Sequence, residues 1–207
     1  MSIRVALYHQ TRYDFDRLVG LSPHEVRLRP APHCRTPIDA YSLSVSAEPH
    51  FLNWQQDPYG NFIARVAFPE KQRTVTFTVG LVADMTVINP FDFFVESYAE
   101  HYPFKYPAGL AKELAPFLEA EVPGPKLAAW LAKFRADSVR PGININDFLV
   151  AVNRSLQGDI GYLVRMQPGV QTPEETLELK CGSCRDSGWL LVQILRNFGL
   201  AARFASG

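Results

Sequence analysis

The sequence predicts an α+β protein, an antiparallel β-sandwich over residues 1–88 followed by helices. Two observations carry this. Before residue 90 apolar residues alternate with polar ones, the period of a strand with one wet face. After residue 107 they recur every three or four positions, the period of a helix. Residues 89–107 between them are rich in aromatics and proline and read as a linker.

The strands are predicted in order. Val26 and Leu28 flank Arg27; Tyr41, Leu43, Val45 and Ala47 alternate with Ser42, Ser44 and Ser46. Phe62, Ala64, Val66 and Phe68 follow the turn residues Asp57-Pro58-Tyr59-Gly60-Asn61. Val75, Phe77, Val79 and Leu81 alternate with threonines. Such strands with turns between them suggest a sandwich. In the linker, Asn89-Pro90-Phe91-Asp92-Phe93-Phe94 and Tyr102-Pro103-Phe104-Lys105-Tyr106-Pro107 carry rings that need a surface to pack on.

The helices follow. Leu110, Leu114, Phe117 and Leu118 predict one that Pro116 breaks. Leu127, Trp130, Leu131 and Phe134 predict a second, and Phe148, Leu149, Val152 and Leu156 a third, capped by Asn144 or Asn146. Thr172-Pro173-Glu174-Glu175 has the cap, the proline and the closing glutamate of a helix start. The last helix is expected over Cys184 to Phe198, stopped by Gly199. Trp189, Leu190, Leu191, Val192, Ile194, Leu195 and Phe198 make it apolar nearly all round, so it belongs at the centre of its domain. Leu200 to Ala205 reads as a strand.

Composition excludes several classes. The 207 residues are 47% hydrophobic and 20% charged, with 21 basic and 21 acidic side chains. That balance argues against disorder and against a nucleic-acid partner. No apolar run approaches the ~20 residues of a membrane span, and the first residues lack the layout of a secretion signal. Three cysteines do not suggest a disulfide framework. A soluble, cytoplasmic protein is the expectation.

The chemistry concentrates in Cys181-Gly182-Ser183-Cys184-Arg185-Asp186-Ser187-Gly188. Cys184 would open the last helix, where unpaired amides and the helix dipole favour a thiolate and could hold an oxyanion. Gly182 allows a tight entry and Ser183 a cap, while Asp186 would cap or form a salt bridge within the first turn. On these residues alone a catalytic thiol and an inert packed thiol both remain open. Cys181 and Cys184 also spell C-x-x-C. A zinc site lacks a second tight ligand pair, and a dithiol centre lacks the strand that normally precedes it. Cys181 reads as a packing residue and Cys34 as a buried or half-buried bystander. His9, His24, His33, His50 and His101 all precede Cys184 and read as surface or internally satisfied side chains, the last three in turn-like contexts.

Three blocks in order resemble the bacterial transglutaminase-like family: Thr172-Pro173-Glu174-Glu175-Thr176-Leu177, Gly182-Ser183-Cys184-Arg185-Asp186, and Leu195 to Gly207. Leu28-Arg29-Pro30 and Asp57-Pro58-Tyr59-Gly60-Asn61 resemble the β-rich N-terminal domain of that family, and Asn89–Phe94 its linker. The resemblance implies that residues 108–207 are the helical first half of a transglutaminase-like, papain-like core. It implies a Cys-His-Asp triad in that chain order, with Cys184 attacking an amide carbonyl of a protein or peptide substrate and no cofactor or metal. Tyr162 stands where the family has a tyrosine that helps the oxyanion.

The family histidine and aspartate follow the Ser206-Gly207 strand, where this sequence stops. The expectation is an inactive chain from an active parent, with the face of the Trp189–Phe198 helix uncovered and available for self-association. A second reading is a non-catalytic scaffold whose β-sandwich binds a protein partner. A third is a thiol–disulfide protein using Cys181 and Cys184.

Overall fold

The computed structural model describes residues 3–87, 89 and 93–205. Pro90, Phe91 and Asp92 of the linker and the final Ser206-Gly207 lie outside the described residues. The chain divides into two compact units, residues 1–92 and 93–207.

The first unit holds six strands: β1 (Ile3–Val19), β2 (His24–Val26), β3 (Ile38–Val45), β4 (Phe51–Gln56), β5 (Phe62–Ala67) and β6 (Gln72–Met85). They form two three-stranded antiparallel sheets, ordered β1-β6-β3 and β2-β5-β4. The alternation seen in the sequence places its apolar members inward. Val75 and Phe77 of β6, Val45 of β3, Val26 of β2 and Ala64 and Val66 of β5 share one core, so both sheets contribute. Asp57 shapes the β4–β5 hairpin, its Oδ1 accepting the Tyr59 and Asn61 amides at 2.9 Å each.

Strands β1 and β4 are absent from the sequence prediction. β1 pairs with β6 over most of its length, yet eleven of its first twelve residues, all but Thr11, are exposed. An edge strand wet on both faces has no reason to alternate.

The second unit is helical. A 3₁₀ turn (Ser97–Ala99) and β7 (His101–Tyr102) precede α1 (Ala108–Glu113) and α2 (Ala115–Leu118). Pro116 lies in the first turn of α2, where its missing N–H costs nothing, and the predicted helix is broken there. α3 (Pro125–Ser138), β8 (Ile143–Asn144), α4 (Ile145–Asp159), β9 (Gly161–Tyr162), α5 (Pro173–Leu179), β10 (Cys181–Gly182) and α6 (Cys184–Asn197) follow. Asn144 caps α4 by accepting the Asn146 amide at 2.9 Å.

The core of this unit is aromatic. Tyr102 stacks on Phe148 at 4.1 Å, and Phe134, Phe148 and Phe198 meet one another at 5.4–5.8 Å. Each such pair is worth about 0.5–1.5 kcal/mol beyond the area it buries. The described part of the predicted linker therefore presses on this unit, with Tyr102 in its core and Val95 and Phe104 packed against that core. His101, expected in a turn, pairs with Asn144 across β7 and β8.

α6 is central, as its composition requires. No residue from Arg185 to Phe198 is exposed, so the expected uncovered face is only half-buried along Trp189, Leu191 and Leu195. Leu200–Ala205 is not a strand: it joins no ladder, its Ala202 amide bonded to the Phe117 carbonyl and its Ala201 amide to the Tyr106 hydroxyl. Its apolar alternation reflects the helical surface it lies on, with Leu200 and Ala202 buried.

Candidate active site at the start of the last helix

The approach to α6 is set by a short parallel ladder. β10 pairs with β9 so that Cys181 faces Gly161 and Gly182 faces Tyr162. Gly182 is required here by close approach: a Cβ would sit 2.8 Å from the Asp186 Cβ and 3.2 Å from the Gln171 Oε1. The chain then enters the helix at Ser183, and Cys184 is its first helical residue.

Asp186 organises this corner. It is fully buried and accepts from five donors. Its Oδ2 takes the Ser183 amide at 2.8 Å and hydroxyl at 2.7 Å, and the Arg165 Nε at 2.9 Å. Its Oδ1 takes the Arg165 Nη2 and the Gln171 amide, both at 2.8 Å. The bidentate Arg165 pair, aided by the Gln171 and Ser183 donors and against the cost of burial, holds the carboxyl far below the usual carboxylate range. Arg165 is raised in turn, chiefly by the same bond.

Arg165 extends the network outward, donating to the Gly169 carbonyl at 2.8 Å, while Arg185 donates to the Gln167 carbonyl at 3.1 Å. Two arginines thus fasten the 165–171 loop to the first turn of α6.

Within this fixed frame Cys184 is the one exposed residue of α6. It opens onto a cleft of about 540 Å³ between α6 and the 201–205 segment, walled by Arg185, Leu191, Leu195, Arg203 and Phe204. Phe204 lies against Gly188, where a Cβ would meet its ring at 3.0 Å. The first intrahelical bond runs from the Ser187 amide to the Ser183 carbonyl, so the Cys184 and Arg185 amides have no partner within the helix.

Residues 135–207 match the transglutaminase-like superfamily, and residues 5–84 match the bacterial transglutaminase-like N-terminal region. Both of its regions thus match transglutaminase-like families. Uncharacterized proteins of Mycobacterium bovis and Mycobacterium tuberculosis are 24% identical to it over 204 residues, or 99% of this chain. The chain spans 65% of their length. A crystal structure of a candidate cysteine protease from Cytophaga hutchinsonii shares the fold, with a TM-score of 0.66 at 15% identity over 96% of this chain and 64% of that one. The α+β class with antiparallel sheets agrees with that likeness.

In the region that matches the transglutaminase-like superfamily, Tyr162 is exposed on β9, level with Gly182 and so two residues from the level of Cys184. Cys181 is half-buried in β10, and both thiols of the C-x-x-C pair are free. Cys34, expected to be at least partly buried, is exposed; its loop, residues 27–37, carries almost no regular structure to cover it. Four histidines lie in the first unit, and none of the five lines the cleft beside Cys184. Among the described residues no three metal-ligating side chains converge, and no helix is long and apolar enough to cross a membrane.

The sequence reading missed Arg165 and Gln171. Asp186 was expected to cap or pair within its own turn; it does cap Ser183, but its ion pair reaches 21 residues back. A lone arginine in an aperiodic loop gives no signal of this. The available hint was the composition of the corner itself, a buried helix starting with an aspartate that needs a cation.

Proposed function

We propose that the chain carries the nucleophile of a transglutaminase-like cysteine enzyme that acts on amide or peptide bonds of a protein or peptide substrate. The observation that supports this is the exposure of Cys184 alone along a covered helix, beside a cleft and at the end whose first amides have no partner within the helix.

The Cys184 Sγ attacks the amide carbonyl carbon, forming the C–S bond as the carbonyl π pair moves onto oxygen. The first amides of α6, with the Tyr162 hydroxyl from β9, stabilise that oxyanion. Collapse expels the amine with a proton and leaves a thioester. Water or a second amine then attacks, giving hydrolysis or transamidation and restoring the thiol. Asp186 does not touch the reacting atoms; it fixes the helix start and the 165–171 loop.

A base must take the thiol proton, and no histidine lines this cleft. The reading therefore takes the imidazole and its aspartate from outside these 207 residues, and the chain alone acylates without turning over. The test is an active acyl donor such as p-nitrophenyl acetate, with the adduct located by peptide mass mapping. A stoichiometric acetyl group on Cys184, lost in Cys184→Ser and slow to hydrolyse, is the expected result. Acetylation of Cys34 with none on Cys184 would overturn the proposal.

A further inference from the structure

A large cavity lies in the first unit, far in sequence from Cys184. It measures about 660 Å³ and is bordered by Arg29, Pro32, Cys34, Ile38, Tyr41 and Trp54, among others. That volume falls within the ~300–1,000 Å³ of small-molecule sites.

Its polar equipment is specific. The Arg29 guanidinium sits over three rings, 4.2 Å from the centre of Phe62, 5.1 Å from Trp54 and 5.4 Å from Tyr41. Arg29 is exposed, so these ring contacts leave N–H groups open to a ligand: among the described residues it has no hydrogen bond and no ion pair. The Tyr41 hydroxyl is buried and also lacks a partner. Burial raises this phenol, against the opposing pull of Arg29 nearby. Buried hydroxyls without a partner are uncommon, and each needs an explanation.

We propose that this cavity binds a carboxylate carried on a small apolar group, the carboxylate lying on the Arg29 fork and accepting from the Tyr41 hydroxyl. A planar guanidinium edge matches a carboxylate in bidentate fashion. A single negative charge fits better than a phosphate dianion, because among the described residues Arg29 is the lone cation bordering the cavity and Asp39, also on its wall, is already held by Arg4 at 2.8 Å. Pro32, Ile38 and Leu43 supply the apolar wall. A free organic acid and a peptide C-terminus present the same chemistry.

The test is calorimetric titration of the full chain with N-acetyl-leucine, N-acetyl-leucinamide, 4-methylpentanoate and the tripeptide Gly-Ala-Leu. Binding of N-acetyl-leucine at least about tenfold tighter than its amide is expected, the scale of a lost hydrogen bond to a charged group. Binding of 4-methylpentanoate points to a free acid as the source, and binding of the tripeptide alone to a peptide C-terminus. Bound N-acetyl-leucine should also slow alkylation of Cys34. Arg29→Gln should abolish binding. Because Arg29 also contacts three rings, Tyr41→Phe is the control for folding: it removes only an unpartnered hydroxyl, so the melting temperature should hold or rise while binding weakens several-fold. Equal binding of acid and amide, no binding of either, or unchanged affinity in Arg29→Gln or Tyr41→Phe overturns the proposal.

Discussion

Two consecutive helices begin with the same local device and use it differently. At α5, Thr172 caps the helix and Glu175 closes the box, its Oε2 accepting the Thr172 amide at 2.7 Å and hydroxyl at 2.9 Å. At α6, Ser183 and Asp186 repeat the arrangement one carbon shorter. The Glu175 carboxylate accepts from its own cap, whereas Asp186 adds Arg165 and the Gln171 amide. The shorter side chain keeps its carboxylate close to the backbone and fully buried, where a cation becomes necessary. The comparison shows a capping box turned from a helix-starting device into a tertiary anchor, at the helix that bears the exposed thiol.

Asp186→Ala gives the largest test of this difference. It leaves Arg165 facing a buried void and frees the 165–171 loop. Arg165 keeps 14% of its side chain in water, so the loss belongs at the lower end of the range for a broken buried pair, about 3 kcal/mol in a urea melt. Glu175→Ala should lose clearly less, and equal losses would erase the distinction. Gly182→Ala comes next. Its Cβ must push the Asp186 side chain away from 2.8 Å, costing about 2 kcal/mol as overpacking does, and it should slow alkylation of Cys184 without altering that of Cys34. Unchanged stability would show that the corner is soft.

The smallest effect is in pH. Both carboxylates titrate lower in the folded chain than when unfolded. The unfolded state therefore binds protons first on acidification, and the stability each provides is complete above about pH 5 and declines below it. Asp186→Asn should flatten that decline between pH 5 and pH 3 more than Glu175→Gln does. A steeper change from Glu175→Gln would reverse the assignment.

Much of the frame was legible because local physics decided it. Thr172-Pro173-Glu174-Glu175 predicts its capping box because all four groups lie within one turn. β3, β5 and β6 alternate because each has one face on the core. β1 was invisible, since a strand wet on both sides carries no period. Leu200–Ala205 misled for the opposite reason: a segment lying on a helix alternates like a strand without joining a sheet. At the site, Cys184 could be read from its place after Gly182-Ser183. Arg165 could not, because nothing within one turn of Asp186 announces a partner in an irregular loop.

The Tyr102 hydroxyl donates to the Phe198 carbonyl at 3.0 Å, closing a loop of 96 residues with a bond inside the core. Sequence separation of this size slows folding, because the ends meet only after the entropy of closure is met. During synthesis the six-stranded unit has all of its strands once residue 85 has emerged. The helical unit cannot seat Tyr102 between Phe148 and Phe198 until its last helix leaves the ribosome. Until then an aromatic surface stays bare, and this is the stretch of the chain's life in which a chaperone has most to bind.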